Sequence, residues 1–184
     1  MILKLQHPFT LIVLEPRSCG KSTFAIKLLE FRKQPCDIVF ENIVSCLGEN
    51  NAPHHFKNVS FDKGVPDIEY PENVPTLIVL DDLMDSAYST NLSELFTKGS
   101  QHRNISLVLI TQNSFYQVQS SRDISLNNKY IVVFKNSRDK TQIVYLARQV
   151  YPENISNFHK TYLEACKDPQ IYLFFELTNR LTIY

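Results

Sequence analysis

The chain has 184 residues, with 19 basic and 19 acidic side chains, so its formal net charge is zero. This balance excludes a protein that binds a polyanion through a global positive field, and any contact with DNA must come from a local patch. The length favours a single domain spanning residues 1–184. The four cysteines form no Cys-x-x-Cys pair and have no histidines at zinc-ligand spacing, which predicts reduced thiols at Cys19, Cys36, Cys46 and Cys166.

The apolar runs of the chain have the length of strands. Leu77–Leu80 and Leu107–Ile110 are examples, whereas a membrane helix needs about 18 consecutive apolar residues. The first residues, MILKLQHPF, lack the long apolar core of a secretory signal. Together with the reduced cysteines, this predicts no membrane segment and a location in the cytoplasm or nucleus.

Near the N-terminus the sequence predicts a strand, a loop and a helix in succession. The apolar run Phe9–Leu14 ends in a loop of Pro, Arg, Ser, Cys and Gly, and apolar residues at helical spacing follow from Phe24 to Gln34. The backbone N–H groups of such a loop, with the positive end of the helix dipole, favour a bound phosphate. The alternative is an ordinary strand-to-helix junction that happens to contain Gly-Lys-Ser.

This loop matches most of the phosphate-binding pattern Gly-x-x-x-x-Gly-Lys-Ser/Thr. In that pattern the lysine reaches the β- and γ-phosphates and the hydroxyl of the next residue holds Mg²⁺. The matching positions here are Lys21 and Ser22. We therefore predict a nucleotide site with Mg²⁺, formed by Ser18, Cys19, Gly20, Lys21, Ser22 and Thr23.

The first glycine of the pattern is replaced by Glu15. Glycine permits an open backbone and close approach to the phosphate, whereas glutamate adds a Cβ atom and a negative charge. A carboxylate about 6 Å from a phosphate charge costs about 3 kcal/mol at an effective dielectric of about 20, or about a hundredfold in affinity. Glu15 therefore predicts weakened nucleotide binding unless its side chain points away.

A second organising element is Thr76–Asp82, in which the apolar run Leu-Ile-Val-Leu precedes two carboxylates. A continuous apolar run predicts a strand buried on both faces, as in a parallel sheet. Ligands of open α/β sheets bind beyond the carboxyl ends of the strands. We predict that Asp81 holds Mg²⁺, directly or through water, and that Asp82 orients or deprotonates the attacking water. The alternative is that both residues cap the next helix.

The strand predicted at Ile105–Ile110 is followed by the polar residues Thr111-Gln112-Asn113. At the end of a buried strand, Gln112 is placed to sense a γ-phosphate and to position water. Polar residues that only begin a loop are the alternative interpretation.

The rest of the chain continues an alternation of strands and helices. Further strands are predicted at Cys36–Val44, Val59–Phe61, Tyr130–Phe134, Ile171–Leu177 and Arg180–Tyr184. Two stripes at helical spacing predict helices with core faces formed by Ile143, Leu146, Ala147 and Val150 and by Ile155, Phe158 and Tyr162. This order predicts an α/β fold, namely the three-layer sandwich of P-loop NTPases with a mainly parallel central sheet. It favours the additional-strand branch of that fold, in which a further strand is inserted between the strand before the phosphate loop and the acidic strand.

Several long segments resemble the FtsK/HerA-type genome-packaging ATPases of poxvirus-like double-stranded DNA viruses, above all the versions in Maverick/Polinton elements and adintoviruses. The segments are Leu80–Met84, Leu95–Asn113, Arg122–Pro152 and Tyr172–Thr178, and the resemblance extends over nearly the whole chain. It implies an ATP-driven motor that forms a homo-oligomeric ring and packages double-stranded DNA into a preformed capsid.

By position, Lys21 and Ser22 resemble the family's phosphate and Mg²⁺ residues, Asp81 and Asp82 its acidic pair, and Gln112 its polar sensor. Ring ATPases of this kind complete each site with an arginine from the neighbouring subunit. Arg103 is the first candidate and Arg138 the second, with surface arginines as the alternative. The family has glycine where this chain has Glu15.

The resemblance also implies the partners and the place of action. These are double-stranded DNA contacted at its phosphates, independently of sequence, and a capsid or portal protein. The place is the nucleus or cytoplasm of the infected or host cell, or the virion. The alternative is a catalytically impaired nucleotide- or DNA-binding module derived from such an ATPase. A small-molecule P-loop kinase is a third interpretation, disfavoured because only Arg122 and Arg138 lie where its arginine-rich lid would be.

Overall fold

The computed structural model describes residues 5–14, 24, 27–28, 36–47, 59–62, 73–81, 96, 104–111, 128–136, 141–165 and 172–177. These residues include the strands β1 (Thr10–Leu14), β2 (Asn42–Leu47), β3 (Val59–Asp62), β4 (Thr76–Asp81), β5 (Ile105–Thr111), β6 (Tyr130–Phe134) and β7 (Tyr172–Glu176). They also include the helices α1 (Thr141–Val150) and α2 (Ile155–Ala165), joined through a short 3₁₀ turn at Pro152–Asn154. In this part of the chain, no helix has both the length and the apolar character needed to cross a membrane.

The strands form one sheet in the order β3-β2-β4-β5-β1-β6-β7. Every neighbouring pair is parallel except β6 and β7, which are antiparallel. The prediction of a mainly parallel sheet is therefore confirmed. Strand β5 lies between β1 and β4, so an additional strand does separate the strand before the phosphate loop from the acidic strand.

The central strands are continuous apolar runs because both of their faces are covered. Every residue of β1, β5 and β6 is buried, as is every residue of β4 except the last, Asp81. Side chains alternate between the two faces along each strand, so one buried strand contributes to two separate cores.

One face of the sheet packs against α1 and α2. The ring of Phe158 on α2 stacks on that of Phe175 on β7, with 4.8 Å between the ring centroids and 8° between their planes. The helical stripes predicted from sequence supply this core, through the buried side chains of Ile143, Leu146, Ala147, Phe158 and Tyr162.

The opposite face carries a second core built around aromatic rings. Phe9 and Tyr130 meet edge to face, 6.1 Å between centroids. Leu28 is buried in this core, and the ring of Phe24 meets that of Phe134 at 5.8 Å. Residues 24, 27 and 28 are helical, and Phe24 and Leu28 of the predicted helix pack against this face. Covered faces on both sides of one sheet match the predicted three-layer sandwich.

Strand β2 begins at Asn42, later than the Cys36 start predicted from sequence. Cys36 pairs instead with Leu5 in an isolated bridge. The backbone N–H groups of Glu41 and Asn42 then both donate to the carbonyl oxygen of Pro75, where the chain enters β4. Ile38 and Phe40 therefore pack against the core from a bent segment and not from the strand, and Val39 between them is exposed.

Two further predicted strands are present, β3 within one residue of Val59–Phe61 and β7 inside Ile171–Leu177. The strand predicted at Arg180–Tyr184 lies outside the described residues.

Candidate functional site at the carboxyl edge of the sheet

The carboxyl ends of β1, β4, β5 and β6 lie together along one edge of the sheet. In the register of the strands, Leu14 pairs with Thr111 on one side and with Val133 on the other. Asp81 pairs with Ile110. The chain therefore leaves β1 towards the Gly20-Lys21-Ser22 segment at the same edge where β4 ends in a carboxylate. This is the edge at which open α/β sheets bind ligands.

Asp81 is the last residue of β4 and the described member of the predicted catalytic and metal-binding set. Register partners in parallel strands point to the same face, so Asp81 shares the face of Ile110 and hence that of Leu28. The residue is half-buried, and its Oδ1 atom is shielded from solvent. A carboxylate oxygen is the ligand type that Mg²⁺ prefers, so the donor at this position fits the metal predicted from sequence.

The other predicted site residues lie outside the described part of the chain. They are Glu15, Ser18, Cys19, Gly20, Lys21, Ser22, Thr23, Asp82, Arg103, Gln112 and Arg138. In the sequence, Asp82 and Gln112 directly follow Asp81 and Thr111, the residues that end β4 and β5 at the carboxyl edge. The roles assigned to these residues remain predictions.

A hydroxyl group on α2 holds the segment that leaves β6 at this edge. The backbone N–H of Asn136 donates to the Tyr162 hydroxyl oxygen at 2.8 Å, and the same hydroxyl donates to the carbonyl oxygen of Phe134 at 3.2 Å. The helical spacing of Tyr162 predicts a core residue but does not predict these contacts. The available signal was a tyrosine at a core position, because a buried tyrosine hydroxyl usually has a hydrogen-bond partner.

The opposite, amino edge of the sheet carries a separate polar network. Its members are His7, Asp37, Asn104 and Ser106, which join the segment before β1 to the start of β5. The backbone of Asn104 has a φ of 56°, in the left-handed region that asparagine tolerates better than most residues. The length of the strands separates this network from Asp81, so it belongs to the scaffold and not to the site.

Two titratable groups have pKa values raised by burial. Burial raises the pKa of the Cys36 thiol to about 12, and the nearby Asp37 carboxylate adds to this effect. Burial also raises the pKa of Tyr130, whose hydroxyl accepts a hydrogen bond from the backbone N–H of Gln6. Both groups are neutral at physiological pH and lie away from the carboxyl edge, so neither is an activated nucleophile of the site.

No protein-family profile matches the sequence, and no curated protein is similar to it in sequence. Solved structures are similar in fold. The genome packaging NTPase B204 from Sulfolobus turreted icosahedral virus 2, solved in complex with ATP-γS, has a TM-score of 0.56 at 14% identity. The alignment covers 96% of this chain and 97% of that protein.

A second similar structure is the cytoplasmic domain of the type VII secretion ATPase EccC from Thermomonospora curvata. It has a TM-score of 0.60 at 12% identity, over 96% of this chain and 25% of that one. The chain therefore spans about a quarter of the secretion ATPase and nearly all of the packaging NTPase. At these identities the likeness is one of fold, and it confirms the predicted P-loop NTPase fold class.

Proposed function

We propose that this protein is a Mg²⁺-dependent ATPase that drives double-stranded DNA into a viral or transposon capsid. The observation that carries the proposal is the placement of Asp81. This carboxylate ends β4 at the edge where β1 passes into the Gly20-Lys21-Ser22 segment, with β5 between the two strands. The fold similarity to a viral packaging NTPase over almost its entire length supports the packaging role.

In this proposal each residue at the carboxyl edge has a separate task. Lys21 binds the nucleotide phosphates, and Ser22 and Asp81 hold Mg²⁺, which neutralises phosphate charge when bound. Asp82 and Gln112 orient the attacking water. An arginine of the neighbouring subunit, Arg103 or Arg138, stabilises charge on the transferring phosphate and requires a ring of several copies.

The DNA contact in the proposal is made to phosphates. It is independent of base sequence and weakens as salt concentration rises, because counterions compete for the phosphates. A zero net charge means that the contact comes from a local basic patch of the assembled ring.

The experiment is Mg²⁺-dependent ATP hydrolysis by the purified protein, with and without double-stranded DNA, beside Lys21→Ala. We expect turnover that DNA stimulates and that the variant lacks. Turnover that persists in Lys21→Ala, or a folded protein that neither binds nor hydrolyses ATP, would contradict the proposal.

The second candidate is a nucleotide-binding module that has lost turnover, and Glu15 is the observation that favours it. Nucleotide binding without hydrolysis in the same experiment would support this candidate. Restoring glycine at position 15 then separates a damaged motor, which regains turnover, from a protein with no motor chemistry.

A further inference from the structure

The Tyr162 hydroxyl connects α2 to the backbone on both sides of Lys135. It accepts a hydrogen bond from the Asn136 N–H at 2.8 Å and donates one to the Phe134 carbonyl at 3.2 Å. Tyr162 has only 4% of its surface exposed, so its ring is fixed within the core. The chain is therefore held at two peptide groups as it leaves β6.

Packing alone does not require this hydroxyl. Tyr162 belongs to the same core as Phe158, which lies one turn earlier on α2 and has a ring without a hydroxyl. A phenylalanine at position 162 would fill nearly the same volume and would leave the two peptide groups without this partner. The hydroxyl therefore stabilises the backbone conformation after β6 more than it stabilises the core.

The segment that Tyr162 holds begins beside the exit of β1. Val133 on β6 pairs with Leu14, the last residue of β1, and the two strands are parallel. Neighbouring strands lie about 4.8 Å apart. The segment with Lys135 and Asn136, both half-buried, thus starts next to Leu14, the last described residue before the predicted phosphate loop.

We infer that Tyr162 is a positioning residue for the nucleotide site, an inference that rests on the proposed function. Its hydroxyl fixes Lys135 and Asn136 as one side of that site. The ammonium group of Lys135 supplies positive charge near the nucleotide phosphates, an attraction that depends on distance. If the segment were not held by Tyr162, the distance between this charge and the nucleotide phosphates would be larger and more variable.

A double-mutant cycle with a fluorescent ATP analogue and Mg²⁺ tests the inference. The variants are Tyr162→Phe, Lys135→Gln and the double substitution, with Kd as the readout and a thermal melt to confirm folding. We expect each single variant to weaken binding by about fivefold, in line with the modest net contribution of the Tyr162 hydrogen bonds or of one moderately screened charge. The double variant should be little weaker than Lys135→Gln alone, because the two residues act through one contact.

The matched control is Tyr145→Phe, which removes the same atom from a partly exposed tyrosine on α1. Its ring lies against Arg148 on the same helix, with the guanidinium carbon 5.4 Å from the ring centroid. We expect its Kd to equal that of the wild type. A weakening equal to that of Tyr162→Phe would overturn the inference.

Other outcomes also decide the question. The positioning role is overturned if Tyr162→Phe has the Kd of the wild type, or if the changes in binding free energy of the two single variants simply add in the double variant. The proposed function survives either result as long as Lys21→Ala loses nucleotide binding. If Tyr162→Phe fails to fold, Lys135→Gln tests the inference by itself. An unchanged nucleotide Kd in Lys135→Gln overturns the inference, even where this variant binds DNA more weakly. A wild-type protein that binds no nucleotide overturns the inference and the proposed function together.

Discussion

The Nδ1 atom of His7 lies 2.6 Å from the Oγ atom of Ser106, across 99 residues of sequence. The other ring nitrogen, Nε2, lies 2.6 Å from Oδ1 of Asn104. Because that oxygen only accepts hydrogen bonds, Nε2 donates to it, and in the neutral ring Nδ1 then accepts from the serine hydroxyl. The same hydroxyl oxygen accepts the backbone N–H of Phe9 at 3.2 Å. One fully buried serine thus anchors the segment before β1 to β5.

Replacing this serine should destabilise the fold. Ser106→Ala leaves the Phe9 N–H and the His7 Nδ1 atom without their partner in a buried environment, which should cost about 1–3 kcal/mol of the free energy of unfolding. Urea denaturation of the two proteins measures the difference. Ser156→Ala, on the exposed side of α2, is the control and should change stability little. Equal stability of Ser106→Ala and wild type would contradict the role of the network.

Removing the charge of Asp81 should affect hydrolysis and not folding. Asp81→Asn keeps the shape of the side chain but supplies a neutral ligand where Mg²⁺ needs a carboxylate, so we expect turnover to fall by at least about a hundredfold. Steady-state hydrolysis with excess Mg²⁺ measures this change.

The control for Asp81→Asn is Glu176→Gln. Glu176 pairs with Tyr130, the first residue of β6, so it lies at the amino edge of the same sheet. It should retain full turnover. Equal turnover in both variants would remove Asp81 from the metal site.

Restoring the glycine of the phosphate loop should strengthen nucleotide binding. Glu15→Gly removes both a negative charge and a Cβ atom, and relief of the charge repulsion alone should tighten the Kd by about a hundredfold. Titration calorimetry with ATP and Mg²⁺ measures the affinity. Glu15→Gln separates the two effects, because it removes the charge and keeps the Cβ atom. An unchanged Kd in both variants would show that the carboxylate points away from the phosphates.

The thiol of Cys36 should resist alkylation in the folded protein. Its pKa of about 12, raised from 9.0 by burial and by Asp37, makes its thiolate fraction at pH 8 about a thousandfold lower than in an unfolded chain. Iodoacetamide labelling of the Cys36 peptide, followed by mass spectrometry, should therefore be slow in native protein and fast in urea. Equal labelling rates in native and urea-unfolded protein would contradict the burial of the Cys36 thiol.

The raised pKa of Cys36 also determines how the free energy of unfolding changes at high pH. A thiol whose pKa is raised by folding contributes stability that is complete below pH 9 and is lost as the pH rises towards 12. Cys36→Ala, which lacks this titration, should lose less stability than wild type between these two pH values.

The central strands could be predicted closely from sequence because they are buried on both faces. Such burial demands an uninterrupted apolar run, and the predicted ends of β1, β4 and β6 agree with the structure to within one residue. The position of Asp81 followed from the same argument, since the change from leucine to aspartate marks the strand end. The start of β2 was wrong because Ile38 and Phe40 pack against the core from a bent segment without joining the ladder, while the apolar Val39 between them is exposed.

The polar contacts could not be predicted in the same way. His7 and Ser106 are 99 residues apart, and Asn136 and Tyr162 are 26 apart. Such pairs follow no periodicity, because they depend on how whole elements are placed in the fold. A single serine or tyrosine looks the same in the sequence whether or not its hydroxyl meets a distant peptide group.

The insertion of β5 between β1 and β4 means that these two strands share no backbone hydrogen bond. They lie two strand spacings apart, or about 9.5 Å. In the proposed ATPase, a nucleotide held by Lys21 on one side and through Mg²⁺ by Asp81 on the other would span this gap. The nucleotide would then link the two strand ends, and loss of its terminal phosphate would remove this link while both strands stayed paired with β5.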